Sequence, residues 1–417
     1  MKILIKSVKI VLPQSKFHRK KVDVLIENGS ISKIAASIET KADQVIKDKN
    51  LHLSEAWFDS SVSFGEPGFE ERETISNGLE VAAKSGFTSL ALNPNTLPVI
   101  DTNSAVAYLK GKTTNSLVKL YPIGALTKNS EGQHLAEIYD MQQAGAVAFG
   151  DYKIPVENAN LMKIALQYAQ NFEGLIISYP QDNKIVGNGQ VNEDLNSTKL
   201  GLKGMPALAE ELQIARDLFL LEYTGGKLHI PTISTEKSVR LIREAKKKGL
   251  DVSCSVAIRN LLFTDENLDS FDSNYKVLPP LRTKSDIRAL IKGLKDGTID
   301  MVTSDHCPID IEHKKMEFEN ALYGSLGLES AFGALRTIFD LDECIQFLTA
   351  GKKRFSIPIF EFAEGNHADF TLFIPDEKYQ LNEKNLFSTS KNSIFLGYEL
   401  QGKVYGSFSK NKFVVNQ

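Results

Sequence analysis

The stretch WFDSSVSFGEPGFEERET, Trp57 to Thr74, decides how the rest of the chain is read. Apolar and small residues alternate and then give way to Gly-Glu-Pro-Gly, the pattern of a strand running into a loop. Ser61 and Ser63 stand two apart, so a strand turns both to the same side. A functional strand tip would carry imidazoles or carboxylates there, whereas a hydroxyl is a poor ligand for zinc.

Moving outward, similar apolar strands recur in GFTSLALNPN, LVKLYPIGAL, AGAVAFGD, GLIISYP, KLHIPTIST, LDVSCSVA and IDMVTSDH. Helical stretches lie between them, among them ISNGLEVAAKSG, NLMKIALQYAQN, ALAEELQIARDLFLLEYTG and TEKSVRLIREAKKKG. Several end in Gly, a common helix stop. Eight strands alternating with helices predict an α/β fold, a (β/α)8 TIM barrel over residues 55–354, although an open doubly wound sheet alternates too.

The flanks have a different rhythm. KILIKSVKIVL, KVDVLIENGSISKIA and ADQVIKD read as short strands, with a hairpin turn at Asn28-Gly29. ADFTLFIPD, SIFLGYEL and GKVYGSFSKNKFVV read the same way near the other end. Residues 1–54 and 355–417 are therefore expected to combine into one small β-sandwich domain beside the barrel.

Bulk properties narrow the function classes. The 417 residues are 42% hydrophobic and 24% charged with a net charge of −3, ample for a large core. Charges of both signs are interspersed, which argues against a nucleic-acid or membrane partner. Cys254, Cys307 and Cys344 are widely spaced, as in a reduced cytoplasmic protein. Lysines interrupt the apolar opening MKILIKSVKIVL, so it reads as a strand rather than a signal peptide.

In a barrel of this kind the chemistry sits at the C-terminal strand tips. Strand one offers Ser61 and Ser63, strand two Asn95, strand four Asp151, strand five Tyr179 and strand six Thr232. Strand eight offers Asp305 and His306. Of seven histidines (His18, His52, His134, His229, His306, His313, His367), only His229 and His306 fall on predicted barrel strands near that end. Two carboxylates and two doubtful imidazoles make a weak metal centre. His229 reads as a packed core histidine and Lys153 as a surface lysine. Asp305 and His306 read as a pair making structural hydrogen bonds, with Asp151 and Asp305 able to hold only a hard, hydrated cation.

Seven motifs in fixed order resemble the dihydroorotase family of the amidohydrolase superfamily over nearly the whole chain. FDSSVSFGEPGFEERETISNG resembles the family's Asp-x-His-x-His-x-Arg-x-Pro-Gly opening, and GFTSLALNPNTLPV its Asp-Met-Pro-Asn-Thr segment. GAVAFGD resembles the fourth strand, and LKGMPALAEELQIARDLFLLEYTGGKLHIPTIST the approach to strand six. KVLPPLRTKSDIRALIKGLKDGTIDMVTSDHCP, GSLGLES and KNSIFLGYELQGKVYGS follow in order. The resemblance implies a barrel with a β domain from both ends, and a zinc hydrolase interconverting N-carbamoyl-aspartate and dihydroorotate in pyrimidine biosynthesis.

Position by position, the resemblance also implies loss. Ser61, Ser63, Tyr179 and Thr232 replace histidine ligands, while Gly65, Leu278 and Ile309 replace substrate contacts. Asp151 (bridging carboxylate), Asn95 (substrate contact) and Asp305 (ligand and acid–base group) survive. The expectation is a non-catalytic homologue without zinc, with Asp305 a vestigial catalytic residue. Such a homologue would be a structural partner of aspartate transcarbamoylase, cytoplasmic and a homo-oligomer. A divergent active enzyme and a sensor of pyrimidine intermediates stand as alternatives.

Overall fold

A computed structural model describes residues 1–359 and 361–416; Phe360 and Gln417, within the expected terminal piece, lie outside the described residues. The eight expected barrel strands all form, as Trp57–Val62, Phe87–Leu92, Lys119–Gly124, Ala148–Phe149, Leu175–Ile177, Lys227–Ile230, Val252–Ala257 and Met301–Thr303. They hydrogen-bond in sequence order and in parallel. Strands one and eight meet through the parallel bridge Val62–His306, with Ser63 N–H donating to the His306 carbonyl at 2.8 Å. This closure settles the choice between a barrel and an open sheet. Asp59 pins the seam, accepting from Ser61 N–H (3.0 Å) and Ser304 N–H (2.8 Å).

Strand one is buried at every position, as a parallel strand covered on both faces must be. Helices begin where a threonine or asparagine leaves its side chain free to accept from the first turn. Thr74 caps Ile75–Lys84, Asn158 caps Ala159–Ala169, Thr235 caps Glu236–Lys247 and Thr283 caps Lys284–Lys295. Phe58, Ile123, Leu175 and Met301 fill the barrel interior together with Phe355 and Ile357 from beyond the last barrel helix.

The two ends of the chain join. His52–Glu55 pairs in parallel with Lys2–Val11 on one side and antiparallel with Phe370–Gln380 on the other. Seven strands of the resulting eight-stranded sheet form one hydrogen-bonded path and Gln44–Ile46 pairs with Lys2–Val11 beside it, with an apolar cluster that includes Ile5, Val24, Leu53 and Leu372. Asn28 and Gly29, both at positive φ, form the predicted hairpin turn. SIFLGYEL differs from the strand expected for it: Ile394–Gly397 is a turn and the strand starts only at Glu399. Gly397 adopts φ +78°, which breaks the extended run.

No helix among the described residues is long and apolar enough to cross a membrane.

Candidate functional site

The strand tips converge on Asp305, which has 1% side-chain exposure. Its backbone sits at φ +45°, and Thr232 (φ +47°) and Tyr152 (φ +57°) also hold left-handed conformations just past their strands. Each such non-glycine residue costs on the order of 1–3 kcal/mol and tends to mark a built site. For Thr232 the cost is greatest, because its branched Cβ crowds the backbone.

Two cations occupy the Asp305 carboxylate. Lys153 Nζ lies 2.9 Å from Oδ2, and the Arg259 guanidinium makes a close contact with the same oxygen. Ser61 Oγ reaches Oδ1 at 3.4 Å. Arg259 is 2% exposed, and its Nη2 also donates to the Leu278 carbonyl at 3.1 Å. Burial alone would raise the Asp305 carboxyl, but Lys153 and Arg259 outweigh it and hold the group below the usual carboxylate range. Asp305 is therefore paired with Lys153 and Arg259 rather than with His306. Lys153, expected on the surface, keeps only 13% side-chain exposure and faces inward.

Asp151 is spent elsewhere. Its Oδ1 accepts from Leu126 and Thr127 N–H at 2.8 and 3.0 Å, and its Oδ2 from Thr127 Oγ at 2.6 Å. It does not line the mouth, whereas Tyr152 does. The Tyr152 hydroxyl is buried without a hydrogen bond, close to Cys307, Asp305 and Ser63. Burial, then Cys307 and Asp305, push that phenol well up.

The serines of strand one form a hydroxyl–amide network instead of a ligand pair. Asn93 Nδ2 donates to Ser61 Oγ at 3.0 Å and to Ser63 Oγ at 3.4 Å, and Ser63 Oγ donates to Asn95 Oδ1 at 3.0 Å. Asn95 thus spends its oxygen on the protein. Tyr179 and Leu278 pack together with Met205 and Ala209 in one buried cluster. Ile309 is buried and donates its N–H to Asn392. At Gly65 a Cβ would lie 1.7 Å from the Phe69 carbonyl oxygen, so the loop has closed over the position.

His229 is a core residue, with Nδ1 2.8 Å from Ser253 Oγ and Nε2 3.3 Å from Ser255 Oγ, its ring edge-on to Phe355. Burial, with Arg354 and Lys246, lowers it to about 3 and keeps it neutral. His306 turns away from Asp305. Its Nδ1 accepts from Gly327 and Leu328 N–H, which leaves the ring proton on Nε2, 3.8 Å from the buried Glu73. The space left at the mouth is about 20 Å³, room for about one water.

A zinc ion needs three or four His, Cys, Asp or Glu donors pointing at one spot. No group of three such residues is so arranged among the described residues. The donors present are hydroxyls, amides, the His229 imidazole held between Ser253 and Ser255, and one carboxylate already bound to two cations, a set that does not fit zinc. Sequence reasoning missed Arg259, Tyr152, Asn93 and Glu73. The usable signal was Arg259 two residues beyond strand seven, since a buried Asp305 without a metal requires a cation.

Residues 54–238 match the family described as Dihydro-orotase-like. The chain is 39% identical to a dihydroorotase of Pelotomaculum thermopropionicum over 100% of this chain and 99% of that one. It is 38% identical to a dihydroorotase of Syntrophus aciditrophicus, covering 100% of both. Among solved structures it resembles an L-hydantoinase (dihydropyrimidinase) from Arthrobacter aurescens, with TM-score 0.86, 21% identity and coverage of 99% and 96%. That likeness speaks for the barrel fold alone.

Proposed function

Because this chain belongs to the dihydroorotase family, we propose that it is a non-catalytic member serving pyrimidine biosynthesis as a structural or regulatory partner. The observation that carries this reading is the pairing of Asp305 with both Lys153 and Arg259. Two fixed cations stand against the one surviving acid–base carboxylate, so a divalent ion would have to displace them. Hydrolysis of a cyclic amide needs an activated water, and a metal lowers its pKa from about 15.7 to near 7. The phenols of Tyr152 and Tyr179 are pushed up by burial, and Asp305 is held down, so none of these three groups supplies that activation. With Gly65 in place of the arginine, the resemblance leaves the substrate carboxylate without its bidentate partner.

Aspartate transcarbamoylase is the partner this reading favours, following the family resemblance, and the cytoplasm the compartment. A second reading, an active dihydroorotase, is favoured by the names of relatives that share 38–39% of the sequence over full length. Purified protein assayed for zinc and for dihydroorotate turnover separates the two. We expect substoichiometric zinc and no turnover; one zinc or more per chain with hydrolysis would establish the enzyme.

A further inference from the structure

Where the terminal sheet meets the barrel flank, a cavity of about 330 Å³ stands open, against about 20 Å³ at the mouth. That volume falls in the roughly 300–1,000 Å³ range of small-molecule sites, which often lie at domain junctions. Its walls come from the short helix Ala331–Arg336, the strands Phe370–Gln380 and Glu399–Ser409, and the segment between those strands. Leu328, Phe332, Leu381, Phe387 and Val404 line it with apolar surface.

Two departures from regular structure shape this space. Residues 375–377 bulge out opposite Gly402, since Ile374 pairs with Lys403 and Lys378 with Gln401. Pro375 starts the bulge, and Gly402 adopts φ +91°. A bulge re-aims the side chains beside it, and Tyr379 is the one re-aimed here. Its ring reaches over the helix at Gly333, where a Cβ would lie 2.6 Å from Tyr379 Oη. Glycine inside a helix is destabilising relative to alanine, so the helix gives up stability to seat a phenol. That phenol has no hydrogen-bond partner among the described residues.

The polar groups divide between the inside and the rim. Burial, then Glu329 and Glu377, push the Tyr379 phenol up, so it stays protonated and offers a donor. Glu329 accepts from Ser388 Oγ at 2.7 Å and from Phe387 N–H, and its carboxylate keeps further acceptor capacity. At the rim stand Lys384, paired with no carboxylate among the described residues, and Lys403, held by Glu377 at 3.3 Å.

We propose that this cavity binds a nucleotide, a flat ring with adjacent donor and acceptor on its edge and an anionic tail. Glu329 accepts the ring N–H, Tyr379 donates to the neighbouring ring acceptor, and the apolar walls take the ring faces. The phosphate points outward to Lys384 and Lys403, as a charge-assisted contact favours. A plain hydrocarbon would leave both inner polar groups unpaired, and a small free anion would meet the Glu329 carboxylate. The cavity shares no lining residue with the barrel mouth, so the inference stands whether or not the mouth hydrolyses anything.

Isothermal titration calorimetry of the full chain with the 5′-monophosphates of uridine, cytidine, adenosine and guanosine tests the assignment. At least one should bind with a Kd below about 100 µM. Its nucleoside and ribose 5-phosphate, each carrying one end of the ligand, should bind at least about tenfold more weakly. Tyr379→Phe should weaken the nucleotide about fivefold, the worth of one neutral hydrogen bond, with an unchanged melting temperature because the hydroxyl has no partner to lose. Lys384→Glu should weaken the nucleotide about tenfold and leave the nucleoside unchanged. No heat from any of the four at about 1 mM, or an affinity that ignores either substitution, overturns the proposal.

Discussion

Lys153 Nζ lies 2.9 Å from Asp305 Oδ2, joining the loop after strand four to the tip of strand eight across the barrel mouth. With Arg259 on the same carboxylate, the mouth contains its own counter-charge. Charged groups that would face each other across an open cavity are instead held in a closed cluster of one carboxylate and two cations.

Breaking that cluster at its centre leaves two cations without their anion. Asp305→Leu should cost about 3 kcal/mol, since loss of one partner of a buried pair exceeds the worth of the pair itself. Removing all three charges in Lys153→Met/Arg259→Met/Asp305→Leu should cost less than the single change. Urea unfolding of the two variants measures the difference, and equal or greater loss in the triple variant would contradict the arrangement.

Tyr179 fills volume beside Leu278, Met205 and Ala209. Tyr179→Ala should destabilise by about 3–4 kcal/mol through the cavity it leaves, and Tyr179→Phe by less than about 1 kcal/mol. Denaturant midpoints compare them directly. If Tyr179→Ala is neutral, the ring does not serve as packing.

Gly65 cannot regain the family's arginine without moving the chain, because a Cβ would enter the Phe69 carbonyl oxygen and lie 3.2 Å from Arg72 Cβ. Gly65→Ala should already lose roughly 2 kcal/mol through forced backbone displacement. A thermal shift of Gly65→Ala and Gly65→Arg, both downward, is the expected result.

Lys314 gives a pH signature. Burial is the main cause that lowers its ammonium to about 7, where it donates to the Lys276 and Leu322 carbonyls. Between pH 7 and about 10 the unfolded chain binds this proton and the folded chain does not, so stability from this residue rises with pH. The difference in unfolding free energy between wild type and Lys314→Met should therefore grow over that window. A difference that is flat or shrinks would refute the assignment.

The barrel was legible because its strands are short buried runs between capped helices, a periodicity that survives any change at the tips. Ser61, Ser63, Tyr179 and Thr232 could be read as replacements only through the family resemblance, which aligns each with a ligand position of the family's motifs. Arg259 and Lys153 could not, since a cation in a loop has the same local pattern whether it faces water or a carboxylate. Strand eight lies beside strand seven in any such sheet, but only the closed ring brings it against the loop after strand four. Asp151 misled for a related reason: next to Tyr152 in sequence, its direction depends on which of two adjacent residues the strand end turns inward. SIFLGYEL was misread because its alternating apolar residues serve a buried turn, where Ile394 and Phe395 pack without extended backbone.

The pairing of His52–Glu55 with Phe370–Gln380 has a consequence for biosynthesis. A strand made near the start of translation waits for a neighbour more than 300 residues later. At about 5–20 residues per second, that delay is on the order of 15–60 s. Throughout it, one edge of the early sheet is an unmatched ladder of amide groups emerging from the ribosome, and chaperones have that interval in which to shield it.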